Sequence, residues 1–215
     1  MPNMDGYYTG LDISSLQGSI TDFSVLKADF IIHRAFVGND YADSNYNGSA
    51  AAIRAAGIPF AAYNFAYPIG LKDDPPNINR AAPEQAKLHF DFMGGNTFNW
   101  LDAEWPFPSQ FAQFGCSAFQ IIGWLLEYLE TWDQLAGPGK IGIYTMPWWG
   151  SKVINMGSCP EFAKYPLWIA NYTQTPMTIA PWATWSIWQT SGSAYRLPNG
   201  IVCDTDVAKD LSLFI

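Results

Sequence analysis

Short apolar runs recur along the chain, and segments with helical spacing lie between many of them. The runs predict strands over Tyr8–Ile13, Phe30–Ala35, Pro59–Phe65, Phe98–Glu104, Lys140–Thr145, Leu167–Tyr172, Thr184–Gln189 and Ile201–Asp204. Helices are predicted over Ser49–Ala56, which stops at Gly57, and over Pro83–Met93, which opens with Pro and Glu and stops at Gly94-Gly95. A third, Ser117–Leu135, puts Phe119, Ile122, Leu126 and Leu129 near one face and ends before Gly137-Pro138-Gly139. Trp148–Asn155 carries a weaker helical pattern. Strand–helix alternation predicts a parallel sheet covered by helices. About eight strands predict closure into a single-domain α/β structure, an irregular TIM-like (β/α) barrel. At 215 residues the chain is at the short end for that fold, so some helices must be short or missing. An open doubly wound sheet is the alternative. The stretch Asp73-Asp74-Pro75-Pro76-Asn77 reads as a surface loop.

The fourth run, Phe98-Asn99-Trp100-Leu101-Asp102-Ala103-Glu104-Trp105, carries the sharpest chemistry. On a strand, residues i and i+2 share a face, so Asp102 and Glu104 project together, roughly 6.5–7 Å apart along the chain. Glycoside hydrolysis needs such a pair: one carboxyl to protonate the leaving oxygen, one ionised to stabilise positive charge on the sugar. An exposed acidic edge would look the same. In a barrel, however, the active site forms at the C-terminal strand ends, and polar or aromatic residues fall at each of them. These are Asp12, Arg34, Tyr63 with Asn64, Asp102 with Glu104, Tyr144, Asn171 with Tyr172, Trp188 with Gln189, and Asp204 with Asp206. Packing does not require such a ring. A cleft lined with carboxylates and rings does.

Composition narrows the classes. The chain has ten Trp and nearly half its residues are apolar, enough for a sizeable core and for rings that stack on sugar faces. A net charge of −8 argues against nucleic acid, which needs clustered Lys and Arg. The opening Met1-Pro2-Asn3-Met4-Asp5-Gly6 has no basic start followed by an apolar stretch, so no secretory leader is expected. The most apolar helix candidate carries Glu127 and Glu130, so no stable membrane insertion is expected. Cys116, Cys159 and Cys203 are far apart and odd in number, which suggests buried free thiols and leaves room for one disulfide. No metal site and no cofactor are expected, since no CxxC, Walker or Rossmann pattern occurs. His33 and His89 are the only histidines and no Gly-x-Ser-x-Gly turn is present, which disfavours a Ser/His/Asp hydrolase. His33, within an apolar strand, is expected in the core; His89, on a helix, is expected at the surface.

Several segments, in order, resemble the glycoside hydrolase family 25 lysozymes, which are N-acetylmuramidases. Gly10-Leu11-Asp12-Ile13-Ser14-Ser15-Leu16-Gln17-Gly18 is similar to that family's G-x-D-x-S-x-x-Q-G start. Ile31-Ile32-His33-Arg34-Ala35 resembles its second strand, Tyr63-Asn64-Phe65-Ala66 its Y-H-F-A, and Leu101-Asp102-Ala103-Glu104 its D-x-E. Ile143-Tyr144-Thr145, Leu167-Trp168-Ile169-Ala170-Asn171-Tyr172, Trp188-Gln189 and Val202-Cys203-Asp204 resemble its I-Y-T, L-W-x-A-x-Y, W-Q and closing V-D. The likeness spans nearly the whole chain. It departs at Asn64, where the family has His, and at the end, where Asp204 and Asp206 both offer a final carboxylate; the register after Val202-Cys203 favours Asp204.

The resemblance implies hydrolysis of the β-1,4 bond between N-acetylmuramic acid and N-acetylglucosamine in peptidoglycan. It implies Glu104 as general acid/base, Asp102 as its ionised partner, and Asp12 and Asp204 as further catalytic carboxylates. The substrate's N-acetyl group would act as nucleophile, with overall retention. Tyr63, Asn64, Tyr144, Tyr172 and Trp188 would bind saccharide, and Arg34 would pair with Asp12 or Asp102. Residues 1–215 would form one catalytic domain without a wall-binding module, acting as a monomer on glycan strands. Synthesis in the cytoplasm and action on the cell wall would match a phage endolysin; a secreted enzyme in its mature form is the other option. A non-catalytic glycan-binding protein and a chitinase-like glycosidase on a similar barrel are the competing readings.

Overall fold

The computed structural model describes residues 6–68, 82–95 and 97–214. The opening segment 1–5 and the expected loop at 73–77 lie outside the described residues. Nine strands form one sheet: β1 (Tyr8–Ile13), β2 (Phe30–Val37), β3 (Tyr41–Ala42), β4 (Phe60–Phe65), β5 (Asn99–Asp102), β6 (Ile141–Thr145), β7 (Leu167–Ala170), β8 (Ile187–Arg196) and β9 (Val202–Ala208). The order runs β1-β9-β8-β7-β6-β5-β4-β2, and pairing of β1 with β2 closes it into an eight-stranded barrel; β3 is a short flap on β2.

The barrel is parallel from β1 through β2, β4, β5, β6 and β7 to β8, but β9 runs antiparallel to both its neighbours. The expected eighth parallel strand is therefore corrected to the return arm of a hairpin. Only Leu197-Pro198-Asn199-Gly200-Ile201 joins β8 to β9, while a parallel crossover needs a dozen residues or more. Gly200 takes φ +85°, which L side chains rarely adopt, so the turn falls there.

Four helices occur among the described residues: α1 (Tyr46–Ala55), α2 (Ala82–Met93), α3 (Phe111–Phe114) and α4 (Ala118–Ala136). Short single-turn segments stand in for a helix between β6 and β7, and no helix separates β7 from β8. Helix α4 is capped by the Ser117 hydroxyl, which accepts from the Gln120 N–H. It buries Ile121, Ile122, Leu125, Tyr128, Leu129 and Trp132. The expected face was rotated: Phe119 is 84 % exposed, because the adjacent pair Ile121-Ile122 and the large Trp and Tyr rings outcompete it for the sheet.

Strand alternation divides the residues into two cores. Outward-facing Leu11, Ile31, Ala62, Leu101, Ile143 and Ile169 pack under the helices. Inward-facing Phe30, Ile32, Ala61, Trp100, Tyr144, Trp168 and Ile187 fill the barrel. Two glycines make room for the largest rings. A Cβ at Gly10 would lie 2.2 Å from the Phe30 ring, and one at Gly142 would lie 2.3 Å from the Trp100 ring. The lower barrel is thus a filled apolar plug, and polar groups are confined to its C-terminal mouth. All three cysteines are free and buried.

Candidate active site

At that mouth Asp12, Asp102, Glu104 and Asp204 converge on a cleft of about 120 Å³, walled by Tyr63, Tyr144, Trp168 and Gln189. A larger hollow of about 510 Å³ lies at the opposite barrel end, around Lys164, Pro181 and Trp182, but no carboxylate lines it. The carboxylates therefore gather at the smaller one. Each carboxylate owes its place to strand parity. Asp12 is the penultimate residue of β1 and is paired in register with Asp204 of β9. Asp102 ends β5 opposite Tyr144 of β6. The strand stops at Asp102, yet the Ala103 N–H still donates to the Tyr144 carbonyl at 2.9 Å. That bond carries the alternation two residues further, so Glu104 joins Asp102 in the cleft.

Gln189 ties the mouth together. Its Nε2 donates to Asp12 Oδ2 at 2.9 Å and reaches Asp204 Oδ2 at 3.3 Å. Its Oε1 accepts from the Tyr144 hydroxyl at 3.1 Å and the Tyr172 hydroxyl at 2.8 Å. One amide thus orients two acids and two rings.

Every acid here is held above its ordinary range. Burial pushes Asp12 up to about 7, helped by the neighbouring Asp204 charge. Burial pushes Asp204 up to about 6. Glu104 is raised by burial and then by Asp204. Asp102 is raised well above a usual carboxylate by burial, then by Glu104 and Asp12, with Arg34 opposing. Like charges in a buried cleft cannot all ionise, so the mouth retains protons near neutrality. That is the condition a general acid needs.

Arg34 does not pair with Asp12 or Asp102 as expected. Its guanidinium lies 3.0 Å from Asp43 and donates to Ser15 Oγ at 3.1 Å. Asp43 is positioned by the Ser15 and Asn45 backbone N–H groups, so it outcompetes the cleft acids for the cation. Two expected saccharide contacts are elsewhere. Trp188 is 1 % exposed, on the outer barrel face, with its indole N–H on the Asn171 carbonyl at 2.6 Å. Asn64 is buried under α2, donating to Asn99 Oδ1 at 2.6 Å and contacting Met93 Sδ. Parity explains both: each neighbours an inward residue, Gln189 and Tyr63, and so points out. Tyr63 and Tyr144 line the cleft, and Tyr172 stands at the rim, 60 % exposed. His33 is buried, its Nδ1 on the Arg34 carbonyl at 2.7 Å. His89 is fully buried as well, correcting its expected exposure. It is wedged between β2, α2 and α4, where Nε2 donates to the Gly38 carbonyl at 2.6 Å and Nδ1 accepts from the Tyr128 hydroxyl at 2.7 Å.

Trp168, in the floor, is not singled out from sequence, and Gln189 is expected at a strand end but without a role of its own. Counting positions by twos from Asp102, across the paired strands, would have found both. Asp204 faces the cleft, and Asp206 lies one inward position deeper, accepting from the Trp168 indole at 2.8 Å.

Residues 11–197 match the family model described as glycosyl hydrolases family 25. The chain superposes on the bacterial lysozyme of Streptomyces coelicolor with a TM-score of 0.76 at 24% identity, covering 99% of this chain and 98% of that one. A family GH25 lysozyme from Aspergillus fumigatus gives 0.73 at 25% identity, covering 95% and 94%. The spore cortex lytic enzyme SleM of Clostridium perfringens gives 0.81 at 21% identity, covering 99% of this chain and 70% of that one. Sequence comparison with curated proteins gives no match.

Proposed function

The chain belongs to the glycosyl hydrolases of family 25, and from that premise we propose that it is an N-acetylmuramidase. It cleaves the β-1,4 bond from N-acetylmuramic acid to N-acetylglucosamine in bacterial peptidoglycan. The observation that carries this reading is the convergence of Asp12, Asp102, Glu104 and Asp204 on one cleft, while Arg34, whose charge bears on Asp102, is engaged by Asp43.

Glu104 is the general acid. It is half-buried at the cleft lip, and burial and Asp204 favour its protonated form. It gives its proton to the glycosidic oxygen as the bond from the anomeric carbon breaks. The acetamido oxygen of the same sugar closes on that carbon, forming an oxazolinium, and Asp102 accepts the acetamido N–H. The emerging positive charge and this N–H donor draw Asp102 to its ionised form, against the burial that raises it in the free enzyme. Water then attacks the anomeric carbon, Glu104 takes its proton, and the acetamido group is released. One water is consumed and configuration is retained. Asp12 and Asp204 hold Gln189 and the local field; Tyr63, Tyr144 and Tyr172 contact sugar. The enzyme supplies carboxyl groups to this route; the substrate's acetamido group and water supply the two nucleophiles. We assign residues 1–215 to one catalytic domain, acting as a monomer on the cell wall in the manner of an endolysin or of a secreted lysozyme.

The test is digestion of purified peptidoglycan, borohydride reduction and mass spectrometry of the fragments. Reduced N-acetylmuramic acid ends are expected. Reduced N-acetylglucosamine ends would reassign the bond, and intact glycan with retained binding would favour a non-catalytic glycan-binding protein. Cleavage of chitin in preference to peptidoglycan would favour a chitinase-like enzyme.

A further inference from the structure

Asp206 takes no part in the mechanism above, yet it is only 1 % exposed. It faces into the barrel, opposite Gly10 of β1 and Gln189 of β8. Its Oδ1 accepts from the Trp168 indole at 2.8 Å. Its Oδ2 is buried and receives no N–H or hydroxyl donor. Its carboxyl lies beside that of Asp12, which stands two residues along β1 from Gly10 on the same inward face. Two ionised carboxyls could only repel there; a proton on one of them turns that repulsion into an O–H···O bond. Asp12 Oδ2 already accepts from Gln189, and Asp12 borders the open cleft. Asp206 is the deeper group, with one oxygen still lacking a donor.

The groups around Asp206 offer it no positive charge. Asp12 faces it from β1, Asp204 from β9, Gln189 from β8 and Trp168 from β7. Its charge, if present, would also bear on Tyr172 and Cys203. Among the described residues no Lys or Arg lies within ion-pair distance of it. A bare carboxylate in such a place is strongly disfavoured.

We infer that Asp206 is a neutral positioning residue: its buried carboxyl O–H donates to Asp12 from below while Gln189 donates from the side, fixing Asp12 as an oriented carboxylate beneath the reacting pair. Asp12 then has two donors and one orientation. The inference rests on the reading of the cleft as the active site, but the protonation of Asp206 is measurable without substrate.

Two variants separate the roles. D206N keeps the shape, offers an N–H in place of the O–H and leaves an oxygen for Trp168, but cannot ionise. D206L fills similar space and removes both partners. The infrared difference spectrum of wild type minus D206N at about pH 8 should show the band of one protonated carboxyl. The melting temperature of D206N should gain on wild type as pH rises from about 4 to about 8, since wild type must keep a proton that its unfolded chain releases. D206N should retain kcat within a few-fold, while D206L should lose roughly tenfold or more in kcat with less change in KM. Absence of the carboxyl band, or a D206N as inactive as D206L, would overturn the inference. A wild type that leaves peptidoglycan intact would sink the functional reading, and the infrared and melting comparisons would still decide the protonation.

Discussion

Two buried polar clusters sit on opposite faces of the same sheet, and they are built on opposite principles. Behind the sheet, His89 is neutral, held down to about 3 by burial, and each ring nitrogen has a partner, Tyr128 or the Gly38 carbonyl. At the barrel mouth, five acids crowd together, and buried oxygens of Asp102 and Asp206 have no donor. A satisfied neutral network stabilises a fold. An unsatisfied acidic one costs stability and persists where a reaction needs protons and charge in a dry place. Charge is what divides them: unpaired atoms also occur on the outer face, at Asn64 and Asn99, but they belong to neutral amides, whereas those at the mouth belong to acids.

The largest test of that contrast is Glu104→Gln. It should lower the rate on peptidoglycan by about 10²–10⁴ while leaving the melting temperature equal or higher. Next, Gln189→Ala should strip Asp12, Asp204, Tyr144 and Tyr172 of their shared partner and reduce kcat roughly tenfold or more, as read from muropeptide release at saturating substrate. On the other face, Tyr128→Phe leaves the His89 Nδ1 unpaired and should cost about 1–3 kcal/mol in urea unfolding. Its specific activity below the transition should not change.

The two clusters also carry opposite pH signatures. Asp12, at about 7 against its ordinary 3.8, contributes stability that is present below 3.8 and lost as pH rises through about 7. Asp204 adds a smaller loss completed near 6. His89, at about 3 against 6.5, contributes stability that is present above 6.5 and lost as pH falls through about 3. Thermal melts from about pH 4 to 8 should show Asp12→Asn gaining on wild type toward alkaline pH, and a neutral replacement such as His89→Gln gaining toward acid. Slopes of the same sign would break the comparison. The smallest effect concerns the surface: with a net charge of −8, moderate salt should raise activity on whole Gram-positive walls by screening repulsion from anionic polymers. A steady fall with added salt would contradict this.

Much of the mouth was legible because strand ends and period-two spacing are local properties. Asp12, Tyr63, Asp102, Glu104, Tyr144 and Asp204 all line the cleft. Trp188 and Asn64 were misplaced for a physical reason: counting polar or aromatic residues at strand ends ignores which face each occupies, and both face the outer layer. Burial of His89 depends on α2 being covered by α4 and the β2 edge, a long-range fact that helix periodicity does not carry. The antiparallel β9 was hidden behind an assumed crossover, although the Pro198-Asn199-Gly200 turn is too short for one. The Arg34–Asp43 pair was missed because Asp43 lies in the loop between β3 and α1, outside any predicted strand end.

The central claim is that Glu104 does chemistry and does not hold the fold. It is tested most directly by measuring peptidoglycan solubilisation and thermal unfolding of wild type and Glu104→Gln in one buffer. Activity falling at least about 100-fold with an undiminished melting temperature is the predicted result. Activity and stability falling together, or activity surviving the substitution, would contradict it.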